Sequence, residues 1–229
     1  MSDPRLIVAL DVSTESELRE LVQRIPNTHC RAKIGKELFT SIGPIAIDIC
    51  HKAGLDVFLD LKFHDIPNTC AKAVRAAARW GVWMTNVHCS GGSDMMRAAR
   101  EILEGEVHRP KLIGVTVLTS MSADGLNELG VNRDLESQVD HLALLSDSCG
   151  LDGVVCSAQE AKRLRQKIGP DFCLVTPGIR PTWAAANDQT RIVTPREALD
   201  NGADYLVIGR PITASDRPEE AIGRIVGEL

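Results

Sequence analysis

The sequence predicts an α/β fold, a single-domain (β/α)8 barrel of the TIM-barrel type that spans residues 1–229. Eight short apolar runs alternate with helical patterns, and no linker or shift in composition separates them. Apolar residues form 44% of the chain and aromatic residues only 3%, a composition typical of buried parallel strands packed by helices. A doubly wound sheet is the alternative, but such a sheet usually has about five or six strands.

The predicted strands are short runs rich in Val, Ile and Leu, the pattern of strands that are buried on both faces. In chain order they span residues 5–12, 30–35, 57–62, 82–88, 111–118, 153–156, 172–176 and 204–208. The carboxyl ends of parallel barrel strands meet at one rim, where barrel enzymes have their active sites. The residues expected at this rim are Asp11, Lys33, Asp60, Lys62, His88, Thr119, Ser120, Ser157, Pro177, Arg180, Gly209 and Arg210.

The helices between the strands begin at recognisable capping signals. Thr14 starts the first helix with a Thr-x-x-Glu capping box, and equivalent boxes occupy residues 157–160 and 194–197. Ser93 is expected to cap the helix after strand four. Pro44 is expected to restart the helical stretch after strand two, because proline is favoured in a first helical turn. A helix therefore follows each strand, as a parallel barrel requires.

The overall charge and composition exclude several classes of protein. The net charge is −5 and no basic run occurs, which argues against a nucleic-acid surface. No apolar segment approaches the roughly 18 residues of a membrane span, and the polar first residues do not resemble a signal peptide. We therefore expect a cytoplasmic protein with no membrane association. The seven cysteines are scattered and never in C-x-x-C spacing, so we expect reduced core thiols.

Charged residues are concentrated where the third strand ends. If residues 57–62 are extended, Asp60 and Lys62 project from the same face, and the turn at Pro67 places Asp65 over the same strand end. Three charges so close together are costly to bury unless they pair completely or take part in chemistry. The simpler interpretation of an isolated Asp-x-Lys pair is a surface salt bridge.

Asp11 and Lys33, on the two preceding strands, extend this group of charges. Lys33, Asp60, Lys62 and Asp65 can then form a chain in which each charge has opposite neighbours, which offsets desolvation. A metal ion held by Asp60 and Asp65 is a rival use of the two carboxylates. The ammonium group of Lys62 between them would repel a cation, so no metal site is expected.

Two successive rim loops predict a phosphate site. They read Pro177-Gly178-Ile179-Arg180 and Gly209-Arg210-Pro211, and each offers a glycine for close backbone approach and an arginine for bidentate contact. Either loop alone is also consistent with a turn that carries an exposed cation. The intervening residues 181–191 are long enough for a lid, from which Gln189 can reach a phosphate group. The alternative is a flexible surface loop.

Together these motifs resemble the orotidine 5′-phosphate decarboxylase family, in its bacterial branch. The resemblance covers essentially the whole chain, and the motifs are specific in combination. They are Asp60-x-Lys62-x-x-Asp65-Ile-x-x-Thr69, Asp11 on strand one, Lys33 on strand two, Leu-Thr119-Ser120 after strand five, Thr-Pro177-Gly-Ile-Arg180 after strand seven, and Ile-Gly209-Arg210-Pro after strand eight.

The resemblance implies conversion of orotidine 5′-monophosphate to UMP and CO2, the last step of de novo UMP synthesis, with neither cofactor nor metal. It implies catalytic roles for Lys62, Asp60, Asp65 and Lys33, with Lys62 as the proton donor to C6 and Asp60 against the substrate carboxylate. Among the residues implied to bind substrate, Asp11 and Lys33 contact the ribose, Ser120 contacts the pyrimidine edge, and Arg180, Gln189 and Arg210 contact the phosphate. The other residues implied to bind substrate are Asp60, Thr69, Thr119, Pro177 and Gly209.

The resemblance also implies a homodimer with shared active sites, in which Asp65 and Thr69 are supplied by the partner subunit. Two other functions remain open. One is a Mg²⁺-dependent sugar-phosphate decarboxylase or aldolase of the same barrel superfamily, which shares the Asp-x-Lys-x-x-Asp pattern. The other is a non-catalytic sensor of a phosphate-bearing ligand. Activity that survives EDTA would exclude the first, and turnover of the nucleotide would exclude the second.

Overall fold

The computed structural model describes residues 3–184 and 193–229, and its strands close into one barrel. The strands are parallel and hydrogen-bonded in chain order, and the last strand pairs with the first. They are β1 (Leu6–Ala9), β2 (Cys30–Gly35), β3 (Val57–Phe63), β4 (Met84–His88), β5 (Lys111–Val115), β6 (Gly153–Val155), β7 (Cys173–Thr176) and β8 (Tyr205–Ile208). The predicted (β/α)8 barrel is therefore confirmed.

Helices separate the strands and form the outer layer of the barrel. They are α1 (Glu15–Gln23), α2 (Lys36–Ile42), α3 (Ile45–Lys52), α4 (Pro67–Arg79), α5 (Gly92–Glu101), α6 (Ala123–Glu128), α7 (Leu135–Ser148), α8 (Ala158–Ile168), α9 (Pro195–Asp200), α10 (Arg210–Thr213) and α11 (Pro218–Glu228). The sequence did not indicate α6, which lies in the polar loop after β5, or the short α10. None of the helices in the described part of the chain has the length and apolar character to cross a membrane.

The helix starts follow the capping signals with one exception. The capping box at Thr14 is confirmed, as are the boxes at residues 157–160 and 194–197, each with both reciprocal hydrogen bonds. The prediction that Ser93 caps a helix is wrong. Ser93 lies inside α5, because the 3-10 turn Cys89–Gly91 leads directly into this helix and no side chain caps it.

Most strands contribute to two apolar cores, whereas β2 contributes only to the core under the helices and carries Arg31 and Lys33 on its inner face. In β1, Leu6 and Val8 pack outward in the core under the helices, whereas Ile7 and Ala9 point into the barrel, where they pack with Phe58. All of these side chains are buried. Burial on both faces explains why the strand sequences are continuous apolar runs rather than alternating ones. The seven cysteines are also buried, and none is in a disulfide, as expected of core thiols.

A cation stacked on aromatic rings fills the amino-terminal end of the barrel. The guanidinium carbon of Arg31 lies 4.0 Å from the ring centre of Trp83 and 5.5 Å from that of Tyr205. Asp3 accepts hydrogen bonds from both Arg31 and the hydroxyl of Tyr205, and Arg31 also pairs with Asp56. This cluster closes the end of the barrel opposite to the strand ends that carry the charged motifs.

Gly153 provides a test of the packing between β6 and β7. A methyl group at this position would lie 2.1 Å from the backbone oxygen of Cys173, so strand pairing would have to shift. We expect Gly153→Ala to lower the free energy of unfolding by about 1–3 kcal/mol or more, measured by thermal and urea unfolding.

Gly223→Ala is the matched control for this substitution. Gly223 lies inside α11 with nothing within 4 Å of an added methyl group. Alanine there should leave stability unchanged or raise it by up to about 1 kcal/mol. Equal stability of the two variants would contradict the tight contact between β6 and β7.

Candidate active site

A cavity of about 200 Å³ opens at the carboxyl ends of the strands, with charge on one side and apolar walls on the other. Lys33, Asp60 and Lys62 form the charged side, and Thr119 and Pro177 lie on the rim. The remaining lining residues are Phe58, Val115, Val117, Leu118, Val155, Cys156, Val175 and Val207. Charges that face an apolar enclosure are screened less than charges in water, so they act strongly on a bound molecule.

The charged side is a compact cluster of two ammonium groups around one carboxylate. Lys62 Nζ lies 2.6 Å from Asp60 Oδ1, and Lys33 Nζ lies 3.4 Å from Asp60 Oδ2. The side chains of Lys33 and Asp60 are each 12% exposed and that of Lys62 is 24% exposed. The two strands bring these groups together because β2 and β3 pair directly, with Gly35 opposite Asp60. This Lys33–Asp60–Lys62 cluster is the part of the predicted charge chain that the structure brings together.

The β3 backbone reaches this arrangement through a bulge rather than as a regular strand. The pairing of β3 with β4 shifts register between Leu59 and Phe63, and Lys62 has a φ of +53°. The expectation that Asp60 and Lys62 meet as alternate residues of a regular strand is therefore wrong in its geometry, although the two side chains do meet. A lysine in the left-handed region is strained by roughly 1–3 kcal/mol, and such strain is typical of functional sites.

Asn86 on β4 is a site residue that the sequence analysis missed. Its Nδ2 donates a hydrogen bond to Asp60 Oδ1 at 2.7 Å, and its Oδ1 accepts one from the backbone N–H of Lys62 at 2.8 Å. The side chain is fully buried. The available signal was an amide in the middle of a strand predicted to be buried, since a buried amide requires partners for its polar groups.

Asp60 and His88, near the mouth of the barrel, have shifted pKa values. Burial alone would raise the pKa of the Asp60 carboxyl, but the charges of Lys33 and Lys62 and the hydrogen bonds from Lys62 and Asn86 outweigh it and lower the pKa. The pKa of His88 is also lowered, chiefly by burial and then by the neighbouring His64 and cationic side chains. Asp60 is therefore ionised, and the imidazole of His88 favours its neutral form.

Asp65 and Thr69 lie outside this cluster. Both are exposed, and Asp65 Oδ1 accepts a hydrogen bond from the backbone N–H of Ile66 at 2.6 Å. Within the described residues, Asp65 forms no ion pair with Lys62 of its own chain. Ile66 beside it is a large apolar side chain with 66% of its surface exposed. The segment that carries Asp65 is therefore exposed at the surface of the chain.

The other predicted substrate-binding residues lie around the mouth to different extents. Asp11 and Gly209 are neighbours, since a methyl group on Gly209 would lie 3.0 Å from Asp11 Oδ2. Ser120 and Arg210 are exposed, and Arg210 begins α10. Arg180 is buried, and its Nη1 donates to the carbonyl oxygen of Ile179 at 2.9 Å. The predicted contact of Gln189 lies outside the described residues.

Family comparison identifies the type of barrel. Residues 4–225 match the model of the "Orotidine 5′-phosphate decarboxylase / HUMPS family". The chain belongs to this family. The match covers all eight strands, so it includes the Lys33–Asp60–Lys62 cluster and every other predicted rim residue. The resemblance inferred from the motifs is therefore confirmed.

Individual members of the family are similar over the full length of the chain. A protein named orotidine 5′-phosphate decarboxylase from Saccharophagus degradans is 56% identical over 227 residues, which cover 99% of this chain and 95% of the relative. One of the same name from Hahella chejuensis is 56% identical over 226 residues, with 99% and 97% covered. The crystal structure of orotidine 5′-phosphate decarboxylase from Lactobacillus acidophilus has 40% identity and a TM-score of 0.88, with 99% of both chains covered.

Among residues 3–184 and 193–229, no group of three or more His, Cys, Asp or Glu side chains is arranged to hold a metal ion. At the mouth of the barrel, the ammonium group of Lys62 pairs with one oxygen of Asp60. The family motif therefore presents a salt-bridge cluster to the cavity in this chain.

Proposed function

We propose that this protein catalyses the cofactor-free decarboxylation of orotidine 5′-monophosphate to UMP and CO2 in pyrimidine biosynthesis. The observation that carries the proposal is the Lys33–Asp60–Lys62 cluster, held at the wall of an apolar cavity in a chain of this family. Relatives that are 56% identical bear the name of this enzyme. The reaction needs fixed charge near the reacting carbon, and the cluster is positioned to supply it.

The chemistry explains why a fixed ammonium group is needed. When the bond between C6 and the carboxylate breaks, CO2 leaves and the electron pair stays on a vinylic carbon that has no electron sink. Lys62 stabilises this developing negative charge, and then its Nζ–H proton passes to C6 to form UMP. The lysine is left neutral and regains its proton from water. A preorganised charge in a cavity of low polarity is the largest source of such stabilisation.

Asp60 and Lys33 hold Lys62 ready for this step. Asp60 accepts the hydrogen bond from Lys62 Nζ and keeps the ammonium group at the cavity wall. Lys33 forms an ion pair with the second carboxylate oxygen of Asp60. Lys33 and Asp11 also bind the ribose hydroxyl groups. Because the pKa of Asp60 is lowered, its carboxylate stays charged throughout the neutral pH range.

The remaining predicted residues are assigned to the two ends of the substrate. Thr119 and Ser120 bind the edge of the pyrimidine ring beside the cavity. Arg180, Gln189 and Arg210 bind the phosphate. Gly209 allows close backbone approach there, and Pro177 forms part of the cavity lining. Binding energy from this remote phosphate orders the reacting groups and lowers the barrier to the chemical step.

One assay tests the activity and its alternatives together. Purified protein is mixed with orotidine 5′-monophosphate in the presence of EDTA, and loss of the orotate absorbance is followed. Turnover that is unaffected by EDTA supports the proposal. Turnover that requires added Mg²⁺ would instead favour the metal-dependent sugar-phosphate chemistry, and binding without turnover would favour a sensor.

Lys62→Ala tests the assigned proton donor. We expect decarboxylation to be abolished, a loss on the order of several kcal/mol in transition-state stabilisation, because a preorganised charge and the proton for C6 are both removed. Thermal unfolding should show an intact fold. Lys52→Ala, at an exposed lysine on α3, is the control for loss of one positive charge and should retain wild-type kcat. Near-normal turnover by Lys62→Ala would refute the assignment.

Arg210→Ala tests phosphate recognition. If Arg210 binds the phosphate, the nucleotide should lose roughly 2–5 kcal/mol in kcat/KM, whereas orotidine without its 5′-phosphate should react almost equally with both proteins. Arg217→Ala, at an exposed arginine before α11, is the charge-matched control and should affect neither substrate. Equal losses for the nucleotide and the nucleoside would show that Arg210 has a structural role.

We also propose a homodimer whose two active sites are each shared between subunits. Lys33, Asp60 and Lys62 come from one chain, and Asp65 and Thr69 come from the other. The exposed carboxylate of Asp65 and the exposed Ile66 beside it support this arrangement, because an apolar side chain at that position gains by burial against a partner. In one subunit the chain of alternating charges ends at Lys62. In the proposed dimer, Asp65 of the other subunit is its next member.

Subunit mixing tests the shared site. Lys62→Ala and Asp65→Ala proteins, each inactive alone, are mixed in equal amounts and allowed to exchange subunits. If Asp65 acts on the neighbouring site, each mixed dimer has one site with both lesions and one intact site, so about a quarter of wild-type activity should return. If Asp65 acts within its own chain, every site keeps one lesion. Mixtures that stay inactive after exchange would contradict the shared site.

A further inference from the structure

The bulge in β3 leaves a gap in the hydrogen-bond ladder between β3 and β4. Leu59 pairs with Thr85 and Phe63 pairs with Val87, so three residues of β3, numbered 60–62, lie opposite the single residue Asn86. Extra residues in a bulge lose their ladder partners, and a buried backbone N–H without a partner is costly. The backbone N–H of Lys62 loses its ladder partner in this way and needs another acceptor.

The side chain of Asn86 fills this gap. Its Oδ1 accepts the N–H of Lys62 at 2.8 Å, in place of the backbone carbonyl of a regular ladder. Its Nδ2 donates to Asp60 Oδ1 at 2.7 Å, the same oxygen that accepts Lys62 Nζ at 2.6 Å. One amide therefore fixes both the main chain of Lys62 and the carboxylate that holds its ammonium group.

We infer that Asn86 is a positioning residue for the decarboxylation, which holds Lys62 in its left-handed conformation and aims Asp60 and Lys62 Nζ at the reacting carbon. The inference rests on the proposed function. Asn86 is fully buried and is not part of the cavity wall, so it acts through Asp60 and Lys62 and does not touch the substrate. Asn86 is not among the residues assigned to the ribose, the pyrimidine edge or the phosphate.

The role requires a side chain of this size that donates and accepts at the same time. An apolar side chain satisfies neither Asp60 nor the N–H of Lys62. An ionised aspartate accepts from Lys62 but has no hydrogen to donate to Asp60, which it would instead repel. A protonated aspartic acid regains both functions, because its hydroxyl donates to Asp60 and its carbonyl oxygen accepts from Lys62. This difference gives the inference a pH signature.

The experiment compares wild type with Asn86→Ala and Asn86→Asp. For Asn86→Ala we expect kcat to fall by about 10- to 100-fold, the size of effect produced when a reacting group is misplaced by about 1 Å. The KM for orotidine 5′-monophosphate and the Kd for UMP should change by less than about threefold, because ground-state contacts are retained. Wild-type kcat in this variant would overturn the inference.

Asn86→Asp separates positioning from a purely structural role. The new carboxyl faces Asp60 and Lys62 on β3, with Lys33 on β2 and His88 further along β4. Lys33 and Lys62 lower its pKa, whereas burial and the Asp60 carboxylate raise it. Because Asp60 is in direct contact, the two carboxyls share a site in which one holds its proton, and we expect a net rise and proton uptake as the pH falls. We therefore expect the ratio of Asn86→Asp to wild-type kcat to rise as the pH is lowered from about 8 to about 6. A ratio that does not change with pH would overturn the inference.

Thr85→Val is the matched control in the same strand. The Thr85 hydroxyl is buried and donates to the carbonyl oxygen of Leu59 on β3 at 3.1 Å, but it contacts neither Asp60 nor Lys62. This variant should lose stability without loss of kcat. A loss of kcat equal to that of Asn86→Ala would assign the effect to weakened pairing of β3 with β4 and overturn the inference.

The wild-type protein separates the two levels of the proposal. Absence of decarboxylation by wild type would overturn the proposed function. Turnover by wild type together with unchanged kcat in both Asn86 variants would overturn the positioning role alone. If Asn86→Ala unfolds at the assay temperature, Asn86→Asp decides, because it preserves the size of the side chain and its pH profile is read as a ratio to wild type.

Discussion

The shared carboxylate of Asp60 is the interaction on which the rest of the site depends. Two ammonium groups in little-exposed positions would repel each other, and Asp60 between them makes both positions tolerable. At an effective dielectric constant of about 20, an opposite charge near 4 Å contributes about 4 kcal/mol before desolvation is subtracted. With one carboxylate and two ammonium groups, the cluster has a formal charge of +1, and that charge faces the cavity. Such a site attracts an anion and stabilises negative charge that develops beside it.

The barrel supplies the rigidity that this cluster needs. Lys33 and Asp60 are on paired strands whose other residues are buried in two cores, so neither backbone can move without disturbing the packing. Lys62 is different, because its left-handed conformation is strained and interrupts the ladder. The hydrogen bond from Lys62 to Asn86 offsets part of this cost. Contacts with the neighbouring strand β4 therefore stabilise the strained conformation of Lys62. Folded proteins maintain unfavourable conformations at functional sites in this way.

The sequence predicts most of the fold because each strand and helix is marked locally. Apolar runs indicate buried strands, and the capping box at Thr14 marks a helix start wherever it is placed. It does not predict the bulge, because no glycine or proline marks Lys62 and the conformation depends on the pairing of β3 with β4. Asn86 was missed for the same reason, since its partners are 24 and 26 residues away. The cap assigned to Ser93 failed because the 3-10 turn Cys89–Gly91 leads into α5 at Gly92, one residue before Ser93.

The proposed reaction gives separate tasks to the charged cluster and to the predicted phosphate loops. In the proposed reaction, the substrate brings a carboxylate to a place where Asp60 is already ionised, and the two anions repel each other. Lys62 offsets this repulsion only in part, because one of its hydrogen bonds is already made to Asp60. The remaining free energy has to come from a contact that does not change during the reaction, and a phosphate held by separate loops provides one. In the proposed reaction, negative charge moves onto C6 as CO2 leaves, and the contact with the Lys62 ammonium group strengthens. Lys62 therefore favours the transition state over the bound substrate.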